Sequence, residues 1–415
     1  MLLFSKIRRF ALTDDQGRRA KLVDFIVELP SEGYPPVTHI IFRHTSHSLE
    51  VLAWDAVLTL DHTARQIKVK DIETSELAPD EWLKRRVLLG DIDDSLVLDL
   101  EHHRVARANG LLLKEENGML VLCGVDTSMS AILRKLTGGR FSYVPDTTVR
   151  DWTTIEFLRG NPGAVKSGMP YRHQITHLPA GEIARLSRQL PYMHAAELLT
   201  LLPDTLAINT LEAMPARRQL QVFEELDEER ASRLLEIMAP DLAADLLGAL
   251  QTETMQAYLD RLPKIHCERI IDLLRFPEHT VGGIMTNDIV FAPMRLTIAQ
   301  AREKLRQRLK EPDFVYLIFI VNDEVAKMQR GVIPIRDLLT CDENQTLGDI
   351  MDTKVPTLDS LESAEKGAFK VIESQLAALP VVGAEGQLLG AVTVDAAVLQ
   401  AAPQAWGSQA PRIFS

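Results

Sequence analysis

A period of 12 residues runs through the middle of this sequence and limits what it can fold into. Leu190, Leu202, Met214, Leu226, Met238, Leu250 and Leu262 are evenly spaced, and Pro191, Pro203, Pro215 and Pro263 directly follow four of them. Five residues into four of the units stands a small residue: Ala195, Ala207, Ala231 and Ala243. Nine residues in, each unit is apolar: Leu199, Leu211, Phe223, Leu235, Leu247, Leu259 and Ile271. A fixed period over several units marks a repeat architecture. Without its linker residues, such a unit leaves about two and a half helical turns, and proline fits the first turn of a helix. The pattern predicts a row of short antiparallel helices. Isolated helices this short are marginal in water, so each must bury its apolar face on its neighbours.

The 415 residues leave room for several domains. A hydrophobic content of 46% with 25% charged residues is that of an ordinary globular chain. The formal net charge of −12 opposes non-specific nucleic-acid binding, which needs a basic surface, and suits cations or basic partners. Cys123, Cys267 and Cys341 are far apart with no CxxC, so neither a zinc site nor a disulfide framework is indicated. The N-terminus has too short an apolar stretch for a signal peptide. The longest apolar run, Val315 to Val321, is strand-sized, far from the roughly 20 residues of a membrane span. The expectation is a cytoplasmic protein without membrane insertion.

Residues 1–80 and 81–158 each read as a small β unit. Lys21 to Leu29, Thr38 to Phe42 and Leu49 to Ala53 are strand-like in the first, with a loop at Ser31 to Pro36 and Trp54 after the third strand. Leu88 to Leu100, Val105 to Lys114 and Met119 to Val125 are strand-like in the second, with Glu116-Asn117-Gly118 as a hairpin turn. Ser130 to Leu136 reads as a short helix ending at Gly138-Gly139, and Trp152 closes the unit. His102 and His103 lie in a turn with no third metal ligand at useful spacing. Residues 159–180 have the Gly and Pro content of a linker, which makes a shared helical face for His173 and His177 doubtful. Residues 181–276 hold the helical array. Its Asp241 and Asp245, four apart, share one helix face, and magnesium takes one or two carboxylates plus waters.

Residues 277–342 and 343–400 look like two βαβ halves, followed by a tail at 401–415. The first has a helix from Ile298 to Leu309, the strand Val315 to Val321, then Gly331 to Asp337. The second has a helix from Ser363 to Ser374, the strand Leu379 to Val382, then Gly390 to Asp395. Matching stretches lead into each: Gly283-Ile-Met-Thr286 and Asp349-Ile-Met-Asp352.

The charged turns Asp14-Asp-Gln-Gly17 and Glu101-His-His-Arg104, each with a closing Trp, make residues 1 to about 158 resemble a pair of PRC-barrel modules. The duplicated halves resemble a tandem pair of CBS domains. With the array, and with Phe276-Pro-Glu-His-Thr-Val-Gly-Gly-Ile-Met-Thr286 and Ala239 to Leu247, they resemble the cytosolic half of the MgtE magnesium transporters over residues 181–400. That resemblance implies an all-α right-handed superhelix of short repeats packed against an α/β CBS pair. It implies magnesium held between them by acids of both, with Asp395 joining Asp241 and Asp245. It also implies ATP or AMP at the CBS pair, with Tyr316, Arg336, Asp337, Lys354, Ala378, Pro380 and Thr393 at the matching positions. CBS pairs of the family dimerise, so a homodimer through the CBS pair is expected.

The departures are specific. Ala396 and Ala397 follow Asp395 where the family has further acids. The nucleotide motif pairs a hydroxyl with an Asp three positions on. The first half has Pro334 before Asp337, and the second has Thr393 before Ala396. The family's acidic connecting helix and membrane part have no counterpart, so the output of the sensing half is expected to be a separate partner, a membrane transporter subunit among them. The competing expectation is an interaction scaffold whose CBS pair only dimerises. An enzyme is not expected: no P-loop, Rossmann fingerprint, HExxH or nucleophile–base set is present, and His44, His47, Asp55 and Asp61 are scattered.

Overall fold

The computed structural model describes residues 1–30, 33–43, 49–72, 76–77, 87–136, 148–158, 174–308 and 315–401. Ser31, His44, His47, Gly138-Gly139, His173, Leu309 and the tail after Ala401 lie outside these described residues. The chain divides into two compact units. One is Met1–Thr210 with Glu225–Asp227, and the other is Leu211–Glu224 with Glu228–Ser415.

The first unit opens with two sets of strands. The first set is β1 (Leu2–Leu3), α1 (Phe4–Ile7), β2 (Ala11–Asp14), β3 (Arg19–Val27), β4 (Val37–Arg43), β5 (Glu50–Ala53), β6 (Val57–Asp61), β7 (Gln66–Val69) and β8 (Glu76–Leu77). The second is β9 (Val87–Leu88), α2 (Leu89–Ile92), β10 (Leu96–Asp99), β11 (Arg104–Arg107), β12 (Gly110–Glu116), β13 (Met119–Asp126), α3 (Met129–Leu136), β14 (Val149–Asp151) and β15 (Ile155–Phe157). Both begin strand, four-residue helix, strand, and in both a tryptophan (Trp54, Trp152) starts a 3-10 turn between two strands. The sets exchange their opening strands. β1 runs antiparallel to β12, with Leu2 opposite Leu113, and β9 runs antiparallel to β3, with Val87 opposite Val27. One core serves both, with Phe4, Phe25, Leu89, Leu113 and Trp152 in a single buried cluster. Asn117 and Gly118 take positive φ (51° and 78°) in the β12–β13 hairpin, the conformation that a two-residue turn demands.

The expected continuous strand from Leu88 to Leu100 is instead β9, α2 and β10. Polar contacts break it: the Leu88 amide donates to the Asp91 carboxylate (3.3 Å), and the Gly90 amide donates to the Asp24 carboxylate (3.2 Å). Asp94 then turns the chain with φ 76°. Local apolar content suits a strand, but a carboxylate from β3, remote in sequence, decides the conformation.

The array is α4 (Ala180–Ser187), α5 (Tyr192–Leu201) and α6 (Asp204–Glu212), then α7 (Ala216–Glu224), α8 (Glu228–Ile237), α9 (Pro240–Gly248), α10 (Thr252–Leu259) and α11 (Lys264–Leu274). Successive helices begin 12 residues apart. Pro191 and Pro263 are N-caps, one position ahead of the first turn, and Pro240 sits inside the first turn of α9. The small positions Ala195, Ala207, Ala231 and Ala243 are fully buried. Of the ninth positions, Leu199 to Leu259 are buried, whereas Ile271 is 37% exposed and Ile270 takes its inward place. Within the second unit, α9 packs on both α7 and α11, and the Phe223 and Tyr258 rings meet at 5.5 Å.

The rest of the second unit is a duplicated α/β pair. Its first half is β16 (Phe291–Pro293), α12 (Ile298–Arg308), β17 (Leu317–Val321), β18 (Gln329–Pro334) and α13 (Ile335–Thr340). After α14 (Leu347–Ile350) comes its second: β19 (Leu358–Asp359), α15 (Ala364–Ser374), β20 (Ala378–Val382), β21 (Leu388–Thr393) and α16 (Val394–Ala401). In each three-stranded sheet a parallel pair is followed by an antiparallel one. Leu317, Phe319, Val332, Ala378, Leu388 and Ala391 form the buried cluster that joins the halves. Each entry segment pairs with the other half: Thr286 bridges to Ala391 on β21, while Asp352 bridges to Val332 on β18. This explains the glycines that head the duplicated motif. A Cβ at Gly390 would lie 2.4 Å from the Thr286 carbonyl oxygen, and one at Gly331 would lie 2.7 Å from that of Asp352.

Candidate functional site

The joint between the array and the CBS-like pair is built from short polar contacts. Phe276 to Gly283 folds back tightly: a Cβ at Gly283 would meet the Pro277 carbonyl oxygen at 2.3 Å, and one at Gly282 would meet the Phe276 ring at 2.4 Å. The Val281 and Gly282 amides donate to the carbonyls of Glu362 and Ser360, both at 2.8 Å, which stitches the joint to the second half. Next, Thr286 Oγ1 donates to Asp241 Oδ1 (3.3 Å) and accepts from the Asp288 amide (3.2 Å). Arg269 of α11 pairs with Asp288 (2.9 Å), and Asn287 Nδ2 donates to the Arg269 carbonyl (2.8 Å). Asp241, half-buried in the first turn of α9, therefore reaches the CBS-like segment, and Asp245 stands exposed one turn on. Asp395 lies in the first turn of α16, four residues past Ala391, the strand partner of Thr286.

Among the described residues, no three His, Cys, Asp or Glu side chains gather into a group that could hold a metal. The turn histidines are engaged as well: His102 Nδ1 lies 3.0 Å from Asp99, and His103 Nδ1 lies 3.5 Å from Glu182. What the joint offers a cation is therefore one or two carboxylates of α9, with the remaining positions left to water. That donor set fits a hydrated magnesium ion rather than a dehydrated, fully caged one. The motif Gly283 to Thr286 was legible in the sequence. The partnership of its threonine with Asp241, 45 residues away, was not.

The second feature is a cavity of about 290 Å³ lined by Tyr316, Val371, Ile372, Gln375, Leu376, Ala377 and Val394. Of the expected nucleotide positions only Tyr316 lines it. Ala377, the residue before β20, and Val394, the first residue of α16, do so in place of their neighbours Ala378 and Thr393 at the strand ends. Ala378 is buried between the two sheets, Pro380 is buried, and the Thr393 hydroxyl accepts from the Ala396 amide. The Ile335 amide donates to the Tyr316 carbonyl (2.9 Å), which brings the start of α13 beside the cavity mouth. There Arg336 Nε pairs with Asp337 Oδ1 (3.3 Å) and is 79% exposed. Lys354 is exposed two residues past Asp352, which is bridged to β18. The lining is apolar with two polar tips, and the charged groups stand outside it. That arrangement suits a planar, mostly apolar ring with a charged tail.

The chain thus joins a duplicated α/β pair to a 12-residue helical array. Residues 178–279 match the family described as the MgtE intracellular N domain, and residues 347–398 match the CBS domain; both are non-enzymatic kinds. The chain carries an MgtE N domain followed by a CBS pair, homologous to the cytosolic domain of MgtE. It is 31% identical over 229 residues to the magnesium transporter MgtE of Thermus thermophilus, covering 54% of this chain and 50% of the relative. Against that of Bacillus subtilis it is 25% identical over 225 residues, covering 54% and 49%. The chain thus spans about half the length of these relatives. A crystal structure of the cytosolic domain of the Mg2+ channel MgtE in complex with ATP superposes with TM-score 0.50 and 28% identity, over 54% of this chain and 90% of that one. Among the described residues, no helix is long and apolar enough to cross a membrane.

Proposed function

We propose that this chain is a cytoplasmic, magnesium-responsive regulatory protein that acts on a separate partner, a membrane transporter subunit being the first candidate. The observation that carries this reading is the contact of Asp241 with Thr286, which puts a carboxylate of the array against the CBS pair at the joint. A hydrated magnesium ion on Asp241 and Asp245 would favour the docked arrangement, with Asp395 of α16 held to it through water rather than as a direct ligand. Without the ion, acid–acid repulsion would favour release. The ion shifts the population by its differential affinity for the two states. Small-angle scattering tests this. The radius of gyration of the wild type should fall on adding millimolar magnesium, and that of Asp241→Asn/Asp245→Asn should not respond. An unchanged wild-type radius sinks the proposal and leaves the scaffold reading.

The same reading assigns the cavity at Tyr316 to the base of ATP or AMP, with Asp337 at the ribose and Arg336 and Lys354 at the phosphates, where charge-assisted hydrogen bonds form readily. The exposed Phe369, Ile372 and Leu399 of α15 and α16 would seat a second copy of the pair. Calorimetric titration with ATP should give a saturable isotherm. Tyr316→Ala should weaken it about tenfold or more, the scale of one lost ring contact, whereas silence of the wild type to both nucleotides refutes the assignment.

A further inference from the structure

The first CBS half carries a basic patch that neither the magnesium nor the nucleotide reading uses. Over residues 289–330 there are eight Lys or Arg against five Asp or Glu, in a chain whose net charge is −12. The cations converge in space. Lys304 is ion-paired with Glu324, and Lys304, then Arg308 and Arg295, hold the Glu324 carboxyl below its ordinary range. The Phe291 ring is shared by two more contacts: Arg308 Cζ stands 5.4 Å and Lys327 Nζ 4.9 Å from its centroid. Four cations thus converge on one carboxylate and one ring: Lys304, Arg308 and Arg295 act on Glu324, and Arg308 and Lys327 on Phe291. Two apolar side chains flank them. Val325, at the tip of the β17–β18 hairpin, is 94% exposed, and Met294, next to Arg295, is 36% exposed.

Crowding like charges costs free energy unless an opposite charge arrives, and an aliphatic side chain at a loop tip gains nothing from water. Both costs are relieved by one kind of surface. We propose that the face formed by Arg295, Lys304, Arg308 and Lys327, with Val325 and Met294 at its rim, docks on an anionic phospholipid bilayer. The cations meet headgroup phosphates while the aliphatic side chains reach the headgroup–acyl boundary. The exposed apolar tips are aliphatic rather than the aromatic platforms that single-stranded nucleic acid stacks on, and this favours lipid. Screening within a Debye length lets the patch act locally although the whole chain is acidic.

Vesicle co-sedimentation of the full chain tests this directly. Wild type should partition onto phosphatidylcholine vesicles containing phosphatidylglycerol, not onto pure phosphatidylcholine, and should come off as salt rises. Each basic residue near an anionic surface contributes roughly fivefold in partitioning, so Arg295→Gln/Arg308→Gln/Lys327→Gln should lower it about a hundredfold. Val325→Ser should lower it severalfold with an unchanged salt slope. All the substituted groups are at the surface, and an unchanged far-UV spectrum and Tm establish that the variants are folded. No sedimentation with anionic vesicles overturns the proposal. So does a triple variant that binds as well as wild type, and so does binding insensitive to Val325→Ser that a soluble polyphosphate abolishes, which would mark a polyanion site.

Discussion

Gly390→Val should open the CBS pair and loosen the joint to the helical array in one step. The backbone of β21 passes so close to the entry segment that a Cβ at this position would lie 2.4 Å from the Thr286 carbonyl oxygen and 3.1 Å from Met285 Sδ. The carbonyl is a backbone group held by the Ala391 amide at 2.9 Å, and the Thr286 amide returns the bond to the Ala391 carbonyl at 2.9 Å. It cannot step aside as a flexible side chain could. Forcing the strands apart forfeits two hydrogen bonds at about 1 kcal/mol each and adds an overpacking cost of about 1–3 kcal/mol. The expected loss is about 3–5 kcal/mol, carried mostly by the unit that contains the pair. Hydrogen exchange of the Thr286 and Ala391 amides should accelerate by two to three orders of magnitude, at about 1.4 kcal/mol for each tenfold. Gly331→Val should act alike at the duplicated contact with Asp352. Gly181→Ala is the contrast. It sits in α4 where a Cβ would meet nothing within 4 Å, so it should stabilise by about 0.5–1 kcal/mol. Equal exchange rates in Gly390→Val and wild type would show that the close approach is not what holds the halves together.

The array could be read from the chain because its signal is local. From α5 to α11 each helix follows its own ruler residue and carries its own apolar ninth position, with a buried alanine in four of the units, so a 12-residue ruler predicts these starts. Ile271 shows the limit. The ruler has the right period but cannot tell which of two adjacent isoleucines turns inward at the final helix, where the neighbour that decides it is Ile270. The CBS duplication was legible for the same reason: the Ile-Met and glycine-headed motifs recur. Contacts that join distant segments were not legible. β1 and β9 have two residues each, too short for a period, and their exchange between the two β sets depends on pairing across about 60 to 110 positions. The β units read as neighbours along the chain, whereas in the structure they share one core.

The candidate sites divide along the same line. Tyr316 was placed at the cavity because the motif fixes the strand end, but Ala378 and Thr393 came out one residue from the lining positions Ala377 and Val394. Ala377 precedes β20 and Val394 opens α16, so the cavity is lined by the residues just outside the two strand ends, and only the fold settles where each strand stops. Asp241 was legible as half of a carboxylate pair on a helix. Its hydrogen bond from Thr286, with Arg269 and Asn287 fixing the same segment, belongs to the tertiary fold.

Asp24→Asn should reverse part of the pH dependence of stability. Asp24 lies on β3 with 7% exposure and accepts the amides of Phe25 (2.7 Å) and Gly90 (3.2 Å). Through Gly90 it bends the chain that would otherwise run on as a strand. Burial, only partly offset by the Phe25 amide, Arg8 and the Gly90 amide, pushes its carboxyl up from 3.8 to about 6. Below pH 3.8 the group is neutral folded or unfolded and has no linkage effect. As pH rises from 3.8 to about 6, the unfolded chain releases its proton and the folded one keeps it. Stability contributed by this group is lost over that window, and above pH 6 the full cost remains. A shift of this size corresponds to about 3 kcal/mol. Asparagine keeps the acceptor oxygen and cannot ionise. The stability of the variant relative to wild type, from urea unfolding, should therefore move by about 3 kcal/mol in favour of the variant between pH 4 and pH 8. Most of that change should fall below pH 6. Parallel stability curves for the two proteins would mean that Asp24 ionises as freely in the fold as in water, and that the bend at Gly90 is held without a strained carboxylate.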